Sequence, residues 1–597
     1  MKSFTLIRTF CQLIAVLAAT SAWCQVNVVA QHNDIHRSGA NLQETQLTVA
    51  SVKQKFGKLW TLFADGQIVA QPLYVSGLTV AGKGTFNALI VSTMHNTIYV
   101  YDADKQPSQP QSRDALIWAQ WLGDPQPENF GFDSWNTNFP EWGIVSTPVI
   151  DDAHTTMYVV SWNKNNNGAE FRLHAIDLTK APFPGPGFPP VDYREKIKPV
   201  PVITGSVPKP GGGEIKLDTT QQKQRAALLL KDGVLYIAFA TNRETDNTLH
   251  GWLFAYDAAT LTQKAVWNST PTSHNGGIWQ AGSGLAADDA GNVYLMTGNG
   301  PFDADTGGHS YGDSFIKLKL EGGTLVVKDF FTPCNQVLLD KTCTAAARCD
   351  LDLGSAGPLL VPGTAPGTHL IIGGGKDGNI YVVDSANMGH FARPTGPVAM
   401  NCANPNVVQM VLGAQQGGPG VVGNIHGSHV FWQGPDAARV FVWGENDHLR
   451  SYTFKNGKLV TPPAQSLYLI PNGMPGGMLS ISADGNKAGT GILWALVPLN
   501  GDANAQRGVR AQLLAFDAQH IKLDIWRSEP LDASFGKDSV GLFAKFVAPT
   551  VADGKVFVAT YGDQENPPGP TRYWQQNMPA PGSVPKNFYV AVYGLRP

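Results

Sequence analysis

Two stretches in the last third of the chain gather histidines and carboxylates at short spacing. Residues 424–432 read NIHGSHVFW and residues 443–450 read WGENDHLR. A histidine beside a carboxylate can hold a metal ion or move a proton. The spacing is not distinctive for a metal, because residues three apart on a strand point to opposite faces. Hydrogen bonding between neighbouring elements is therefore the alternative interpretation for His426, His429, Glu445, Asp447, His448 and Arg450.

The elements that would position these residues repeat along the chain. An apolar strand, a turn, a second strand with a Y-x-x-D-like corner and a strand near a Trp recur, most plainly at 71–121, 235–267 and 492–526. Alternating β-branched and aromatic residues, separated by pairs such as Asp377-Gly378, indicate strands and turns. No sustained helical period is present after the N-terminal leader. The pattern predicts an all-β repeat fold.

Counting the openings of these units gives eight, which begin near Gln71, Ser146, Arg225, Gly282, Gly354, Gly427, Gly476 and Ala544. The last unit lacks its outermost strand, whereas FGKLWTLFAD at 56–65 has an outer strand's Trp but no preceding strands. We expect the N-terminal strand to complete the last unit and close a ring without open edges. The prediction is an eight-bladed β-propeller, with seven blades as the alternative. His32 and His36 would then lie near the ring closure.

Charge and the N-terminus bound the function. The net charge is −3 and only 15% of residues are charged, which argues against nucleic-acid or anionic-membrane binding. Lys2 and Arg8 precede an apolar stretch that ends near Ala22, which is typical of a secretory signal cleaved there. We expect residues 1–22 to be removed, residues 23–597 to form one propeller domain, and the protein to be secreted or periplasmic. A lipoprotein at Cys24 is the alternative, and Trp23 fits it poorly.

Cysteine usage agrees with an exported protein. Four cysteines lie well beyond the leader, and four cysteines allow three pairings, so the pattern leaves the disulfide connectivity open. There is no C-x-x-C-H motif, so no covalently attached haem is expected. The four residues are Cys334, Cys343, Cys349 and Cys402.

The corner AYDAAT at 255–260, followed by Trp267, resembles the tryptophan-docking motif of quinoprotein alcohol dehydrogenases. The chain is similar to PQQ-like β-propeller repeat proteins of the quinoprotein alcohol dehydrogenase-like superfamily. The likeness covers most of the chain as architecture and is carried by motifs between about Thr241 and Asp384. It implies an eight-bladed propeller that binds pyrroloquinoline quinone (PQQ) and Ca²⁺ at its axis.

The specific resemblance is carried by HGWLFAYDAATL at 250–261, GGIWQAG at 276–282, TGNG at 297–300, YGDSFIKL at 311–318 and GGGKDGNIYVVD at 373–384. It implies that Asp246, Asn299 and Asp313 are Ca²⁺ ligands and that Asp313 is also the catalytic base. It further implies that Trp279 forms the floor under the quinone and that Lys376 contacts a quinone carbonyl. These side chains suit such roles chemically.

The sequence also departs from the family. It has no adjacent cysteine pair, and Asp246 stands where the family has a calcium-binding Glu, with Glu244 off register. Asp377 follows Lys376 where the family has Asn, and no residue matches the family's carboxylate-binding Arg.

Three functional hypotheses follow from these observations. The first is a PQQ- and Ca²⁺-dependent dehydrogenase of an alcohol or sugar that passes electrons to an external acceptor. The second is a cofactor-free carbohydrate lyase or hydrolase that uses the histidine and carboxylate cluster. The third is a non-catalytic binding scaffold, since propellers also serve as assembly platforms.

Overall fold

Eight β-sheets form a ring in a computed structural model of the chain. The structure describes residues 26–109, 112–127, 141–166, 168–185, 189–241, 248–340, 350–362, 369–470, 473–499, 501–503, 509–529, 536–562 and 588–597. The eight-bladed prediction is confirmed. The predicted leader, residues 1–22, lies outside the described residues and stays a prediction.

The first four blades follow the chain in order. Their strands are Asn27–Val28, Leu73–Val80, Gly84–Ser92, Thr97–Asp102 and Leu116–Trp121 in blade 1; Val149–Ile150, Thr156–Asn165 and Gly168–Asp177 in blade 2; Gln222–Lys223, Leu229–Lys231, Val234–Thr241, Trp252–Asp257 and Gln263–Asn268 in blade 3; and Ala286–Ala287, Asn292–Met296, Phe315–Glu321, Thr324–Thr332 and His390–Phe391 in blade 4.

The other four blades continue the ring. Their strands are Leu359–Leu360, Leu370–Gly374, Ile380–Asp384 and Gln409–Val411 in blade 5; Val430–Gln433, Ala438–Val442, His448–Lys455, Lys458–Leu459 and Ala464–Leu469 in blade 6; Ala40–Asn41, Met478–Ser482, Ile492–Pro498, Ala511–Asp517 and Asp524–Arg527 in blade 7; and Thr550–Ala552, Lys555–Ala559, Phe588–Leu595 and Phe56–Ala64 in blade 8. Short pairs outside the blades are Gln126–Pro127 with Glu141–Trp142 and Ser206–Pro208 with Glu214–Lys216.

Blade 8 closes the ring with strands from both ends of the chain. Phe56–Ala64 runs antiparallel to Phe588–Leu595 as the outermost strand of the blade. Trp526 of blade 7 packs edge-on against Phe56 at 4.8 Å between ring centroids, so the neighbouring blade seals this joint. Closure pairs the backbone groups that an open sheet would expose. The predicted N-terminal closure is confirmed.

Among the described residues, two short α-helices and three single 3₁₀ turns interrupt the β structure. The helices are Val49–Lys55 and Gln336–Leu339, and the turns are Ala304–Thr306, Leu353–Ser355 and Ala414–Gln416. The sequence shows no sustained helical period after the leader, which agrees with helices of only seven and four residues. The first helix depends on its cap instead, since Thr48 and Ser51 form a reciprocal capping box.

The segment from Val26 to Asn41, the axial segment, lies along the inner edges of the blades and bonds to all eight of them. Two of its parts form strands, Asn27–Val28 on blade 1 and Ala40–Asn41 on blade 7. Each remaining blade shares at least one hydrogen bond with it, namely Ile150 N to Val29 O, Arg37 Nη2 to Leu228 O, Ala287 N to Ile35 O, Leu360 N to His36 O, Phe431 N to Ser38 O and Asn41 Nδ2 to Val551 O. His32 and His36 therefore lie on the axis rather than at the ring closure.

Arg37 is the buried centre of the axial segment. It is fully buried, and its three guanidinium nitrogens donate to the carbonyls of Leu285 at 2.8 Å, Gln31 at 2.7 Å and Leu228 at 3.0 Å. Burial lowers the pKa of Arg37 to about 10, so it stays charged at neutral pH. Carbonyl oxygens satisfy this cation, which makes it a structural group.

One disulfide joins the end of blade 4 to the chain that follows blade 5's third strand. Cys334 and Cys402 are bonded across 68 residues. Cys343 and Cys349 lie outside the described residues, so their pairing stays open. In the part of the chain that the structure describes, no helix is long and apolar enough to cross a membrane.

Candidate functional site

The charged groups near the axis gather at one end of the ring. The inner strand and the second strand of a blade are antiparallel, so the loop entering the first and the loop leaving the second lie at the same end. We call this the loop end. Groups from distant blades meet there, since Arg225 of blade 3 donates to the carbonyl of Phe546 of blade 8 at 3.3 Å. The loops that precede blades 4 and 6 also touch, with Gly282 bridged to Gly427.

Lys376 lies between two aspartates of the loop that enters blade 5. Its Nζ is 2.7 Å from Oδ1 of Asp350 and 2.6 Å from Oδ2 of Asp352. The lysine side chain is 10% exposed and that of Asp352 is 3% exposed, whereas half of the Asp350 side chain is open. Lys376 therefore forms a buried ion pair with Asp352 and a second pair that solvent reaches. The sequence analysis did not identify either aspartate, although D-L-D precedes the predicted blade opening at Gly354.

These two aspartates titrate in opposite directions. Burial raises the pKa of Asp350 to about 7, against the pull of Lys376. Burial also acts on Asp352, but Lys376 and the hydrogen bonds it accepts outweigh it and lower the pKa of Asp352. Asp352 is thus the permanent counter-ion of Lys376.

Asn299 and Asp313 are linked to the same cluster. The backbone N–H of Asn299 donates to Asp352 Oδ1 at 2.9 Å, and its Nδ2 donates to Asp350 at 3.2 Å. Asp313 is fully buried in the left-handed region, with φ of 46°, and accepts the N–H of Leu353 at 3.1 Å. The structure brings Asn299, Asp313 and Lys376 together, as the sequence analysis predicted, around an aspartate that it missed.

Trp279 borders this cluster and is only half-buried. Gly298, the first glycine of TGNG, allows the Asn299 loop to lie close to Trp279 and Asp352. A Cβ on Gly298 would overlap Oδ1 of Asp352 and lie 3.3 Å from Cδ1 of Trp279. Only glycine lets the Asn299 loop approach both groups. An indole face near a buried lysine suits a flat, anionic aromatic ligand.

The polar donors of this cluster can be compared with those that a calcium ion prefers. In the described ranges, no three His, Cys, Asp or Glu side chains converge as a metal-binding group. Asp246, the third predicted ligand, lies outside those ranges. The donors that are described are carboxylate and amide oxygens, which hard cations prefer. Two aspartates pair with Lys376, and Asp313 is bonded to the backbone of the loop that carries them, so the cluster has an excess of negative charge that suits a divalent cation. The residues present therefore fit calcium in their chemistry.

The loop after Cys334 donates hydrogen bonds to both loops of this cluster. Asn335 donates to Asp377, the neighbour of Lys376, at 3.3 Å. Gln336 donates to the carbonyl of Gly300, the neighbour of Asn299, at 2.8 Å. The disulfide thus fixes a loop that contacts both site loops.

The predicted histidine and carboxylate cluster divides into separate groups. His426 is 2% exposed, and its Nε2 lies 2.8 Å from Oε1 of Glu445. Arg450 and Asp447 instead form a buried ion pair at 2.6 Å, and Asp447 also accepts the N–H of Val422. That second pair holds a loop and its own strand, so its contacts are structural.

The two remaining histidines lie apart from these pairs. His429 is fully buried, and neither ring nitrogen has a hydrogen-bond partner among the described residues. Burial lowers its pKa to about 4, so it is neutral. His448 is half-buried and opens the third strand of blade 6. Of the six candidates, the structure pairs His426 with Glu445 and Arg450 with Asp447, and it leaves the side chains of His429 and His448 outside both pairs.

A basic and aromatic group from blades 3 and 8 was not recognised in the sequence. Arg225 donates to the carbonyls of Val145 and Phe546, and its Cζ lies 5.6 Å from the Phe546 ring. Lys545 Nζ lies 5.0 Å from the same ring. Arg225 makes no ion pair with the residues that the structure describes, and burial lowers its pKa to about 10. Its position at a predicted blade opening was the available signal.

Comparisons with known proteins agree with this architecture. No protein-family model and no curated protein matches the sequence. Among solved structures, the chain is similar to the quinohemoprotein alcohol dehydrogenase of Comamonas testosteroni, with 16% identity over 95% of this chain and 80% of that chain and a TM-score of 0.51. A quinohemoprotein alcohol dehydrogenase of Pseudomonas putida HK5 gives 13% identity, the same coverage and a TM-score of 0.51.

A europium-containing methanol dehydrogenase is also similar, with 12% identity over 96% of this chain and 98% of that chain and a TM-score of 0.54. Identities this low show the fold alone. The resemblance that the motifs indicate is thus confirmed at the level of architecture: this chain has the eight-bladed propeller fold of the quinoprotein alcohol dehydrogenases.

Proposed function

We propose that this protein is a secreted or periplasmic oxidoreductase of the quinoprotein type, a PQQ- and Ca²⁺-dependent dehydrogenase of an alcohol or sugar. The linked set of Lys376, Asp352, Asn299 and Asp313 beside Trp279 is the observation that supports it most. The set lies at the axis of a propeller whose solved neighbours include alcohol and methanol dehydrogenases. With no haem motif in the chain, the electrons would pass to an external acceptor.

The chain's own residues would divide the work of binding. Trp279 would stack on the quinone rings, and Lys376, held by Asp352, would face a quinone carbonyl. Arg225 would attract a carboxylate of the cofactor, because a buried guanidinium near the axis favours an anion. When bound, PQQ would supply the oxidant that accepts two electrons and a hydrogen from the substrate.

Asn299 and Asp313 would bind calcium, with Asp246 as the third ligand. The backbone bonds of Asn299 to Asp352 and of Leu353 to Asp313 hold both donors in place before any ion arrives. The role of Asp313 as the catalytic base stays a prediction. Its side chain is fully buried.

Calorimetric titration of PQQ into the calcium-loaded protein tests the proposal. We expect tight binding that requires Ca²⁺ and weakens at least about 10-fold in Asn299→Ala, since a lost ligand lowers affinity by this order or more. Lys198→Met, which removes an exposed ion pair with Asp192, is the control and keeps full affinity. No binding with calcium present would refute the proposal.

A cofactor-free carbohydrate lyase or hydrolase is the second candidate, because His426 and Glu445 form an acid and base pair without a quinone. Release of sugars or unsaturated ends from polysaccharides in the absence of PQQ would support it. Dye reduction that depends on PQQ would exclude it as the main activity. With neither activity, the propeller would serve as a binding scaffold.

A further inference from the structure

The His426 and Glu445 pair belongs to the same wall of the loop end as Lys376. Lys376 and Glu445 occupy corresponding loops of neighbouring blades, between the second and third strands. The N–H of Ile425 donates to Gly375 O at 3.2 Å, so the loop that carries His426 bonds to the loop that carries Lys376. Blade 5 thus presents a lysine and an aspartate, and blade 6 presents a histidine and a glutamate.

Glu445 is also held through its backbone, in addition to the contact that its side chain makes with His426. The N–H of Glu445 donates to Asn424 O at 3.0 Å, which ties the acid's loop to the loop that enters blade 6. A Cβ on Gly423 would overlap the Glu445 carbonyl, so glycine is needed for this approach. The imidazole and the carboxylate are held on two loops that cannot easily separate.

Phe546 covers the imidazole from blade 8. The two ring centroids are 5.6 Å apart, and Phe546 has a φ of 67°, which is strained for a bulky side chain. Such strain persists where the surroundings enforce it and concentrates at functional sites. Arg225 and Lys545 also lie against the Phe546 ring, and Glu445 lies beside the imidazole.

A histidine held by a carboxylate at one ring nitrogen is arranged to exchange a proton at the other. Nε2 of His426 lies 2.8 Å from Oε1 of Glu445. The two atoms are in contact but not aligned as a hydrogen bond, since neither has a hydrogen-bond partner among the described residues. Asp313 and His426 are both buried, and one carboxylate oxygen of Asp313 is already engaged by a backbone N–H.

We infer that His426, oriented by Glu445, is the group that takes the hydroxyl proton of the substrate in the proposed dehydrogenase. The substrate O–H bond breaks and its proton passes to Nδ1 of His426. A bound quinone would supply the two-electron oxidant that takes the carbinol hydrogen with its electron pair, so the substrate would leave as a carbonyl compound. The imidazolium beside Glu445 would then return its proton to water. This inference rests on the proposed function.

The test compares His426→Ala with the unmodified protein, both loaded with PQQ and Ca²⁺ and assayed by dye reduction. We expect kcat to fall about 10²- to 10⁴-fold, the usual contribution of a general base. PQQ affinity and KM should change less than about 2-fold, and added imidazole should restore part of kcat. His426→Gln, which keeps a polar side chain beside Glu445, should be as slow as His426→Ala.

The matched control is His520→Ala, since His520 also lies beside a carboxylate, Asp517 at 3.2 Å, but is 79% exposed on the outer surface. It should keep full kcat. A His426→Ala protein with unchanged kcat would overturn the inference. So would a His426→Gln protein that recovers full activity, because that result indicates a structural role. If the unmodified protein binds no PQQ, the proposed function fails first and the inference fails with it.

Discussion

The axial segment and the loop end both lie against the inner edges of the blades but carry different chemistry. In the axial segment the buried cation Arg37 is satisfied by three backbone carbonyls. At the loop end, charged side chains pair with each other, as in Lys376 with Asp352 and His426 with Glu445. Left-handed backbone does not distinguish the two regions, because it occurs at His32, Asn33 and Arg37 of the axial segment as well as at Asp313 and Phe546 of the loop end.

This difference suggests that the axial segment stabilises the fold, whereas the loop end binds a ligand. Carbonyl oxygens that fully satisfy a buried cation leave it nothing to offer a ligand, so the axial segment holds the ring together. Ion pairs between buried side chains differ from this, because either partner can exchange the other for a charged ligand. Variants in the two regions should therefore produce opposite patterns of unfolding and of ligand binding.

The largest effect on stability is expected from Arg37→Met. The variant removes the hydrogen-bond donor of three backbone carbonyls. They belong to Leu228 at blade 3, Leu285 at blade 4 and Gln31 of the axial segment. Since each lost charge-assisted bond costs about 1.5–3 kcal/mol, the free energy of unfolding should fall by at least about 3 kcal/mol. Urea denaturation measures it. Arg393→Met, which breaks an exposed pair with Asp305, is the control and should change stability by less than about 1 kcal/mol.

The disulfide should rank second. The double variant Cys334→Ser with Cys402→Ser removes a link that closes 68 residues, so the free energy of unfolding should fall by about 2–4 kcal/mol. PQQ affinity should fall as well, because the loop after Cys334 contacts the Asn299 and Lys376 loops. Unchanged affinity in the folded variant would show that the loop does not support the site.

Gly298→Ala should act at the loop end with a smaller cost in stability. The new Cβ would overlap Asp352 and push apart the Asn299 and Lys376 loops, at a cost of about 1–3 kcal/mol for an overpacked site. Calcium and PQQ binding should weaken together. Gly396→Ala, where a Cβ meets nothing within 4 Å, is the matched control. Equal binding by both variants would contradict the assigned network.

The smallest effect should be a pH dependence from His95. Burial opposes its charge, but the carboxylates of Glu141, 2.9 Å away, and Asp65 raise its pKa to about 9. A raised pKa gives stability that is complete below pH 6.5 and lost as the pH rises through 9. We expect about 1–2 kcal/mol to be lost over this range, after allowance for solvent screening. His95→Gln should flatten the profile measured by urea denaturation.

The repeated architecture could be predicted from the sequence because strand periodicity and turn pairs recur in each blade. All eight openings fall within a few residues of the inner strands, and the closing strand was found from its unpaired Trp60. The axial segment could not be predicted, since its bonds use backbone groups and Arg37, and neither has a periodic signature. The helix Val49–Lys55 is too short for one.

The candidate site could be predicted only in part. Asn299, Asp313, Trp279 and Lys376 lie near one another, as the motifs imply. Asp352 was missed because a loop aspartate before a blade has no distinguishing neighbours, and its role appears only through Lys376 and the backbone of Asn299. In the histidine cluster, spacing alone could not separate the Asp447 and Arg450 ion pair from His426 and Glu445, because pairing depends on the direction of each side chain.

The PQQ dissociation constant of Lys376→Met, measured by calorimetry at saturating calcium beside Arg37→Met, tests the account most directly. If the loop end is the cofactor site, Lys376→Met should weaken PQQ binding at least about 100-fold, because it removes a buried charge that faces the ligand. Arg37→Met, where it remains folded, should bind PQQ as the unmodified protein does. Equal affinity of Lys376→Met and the unmodified protein would contradict the assignment of the loop end as the cofactor site.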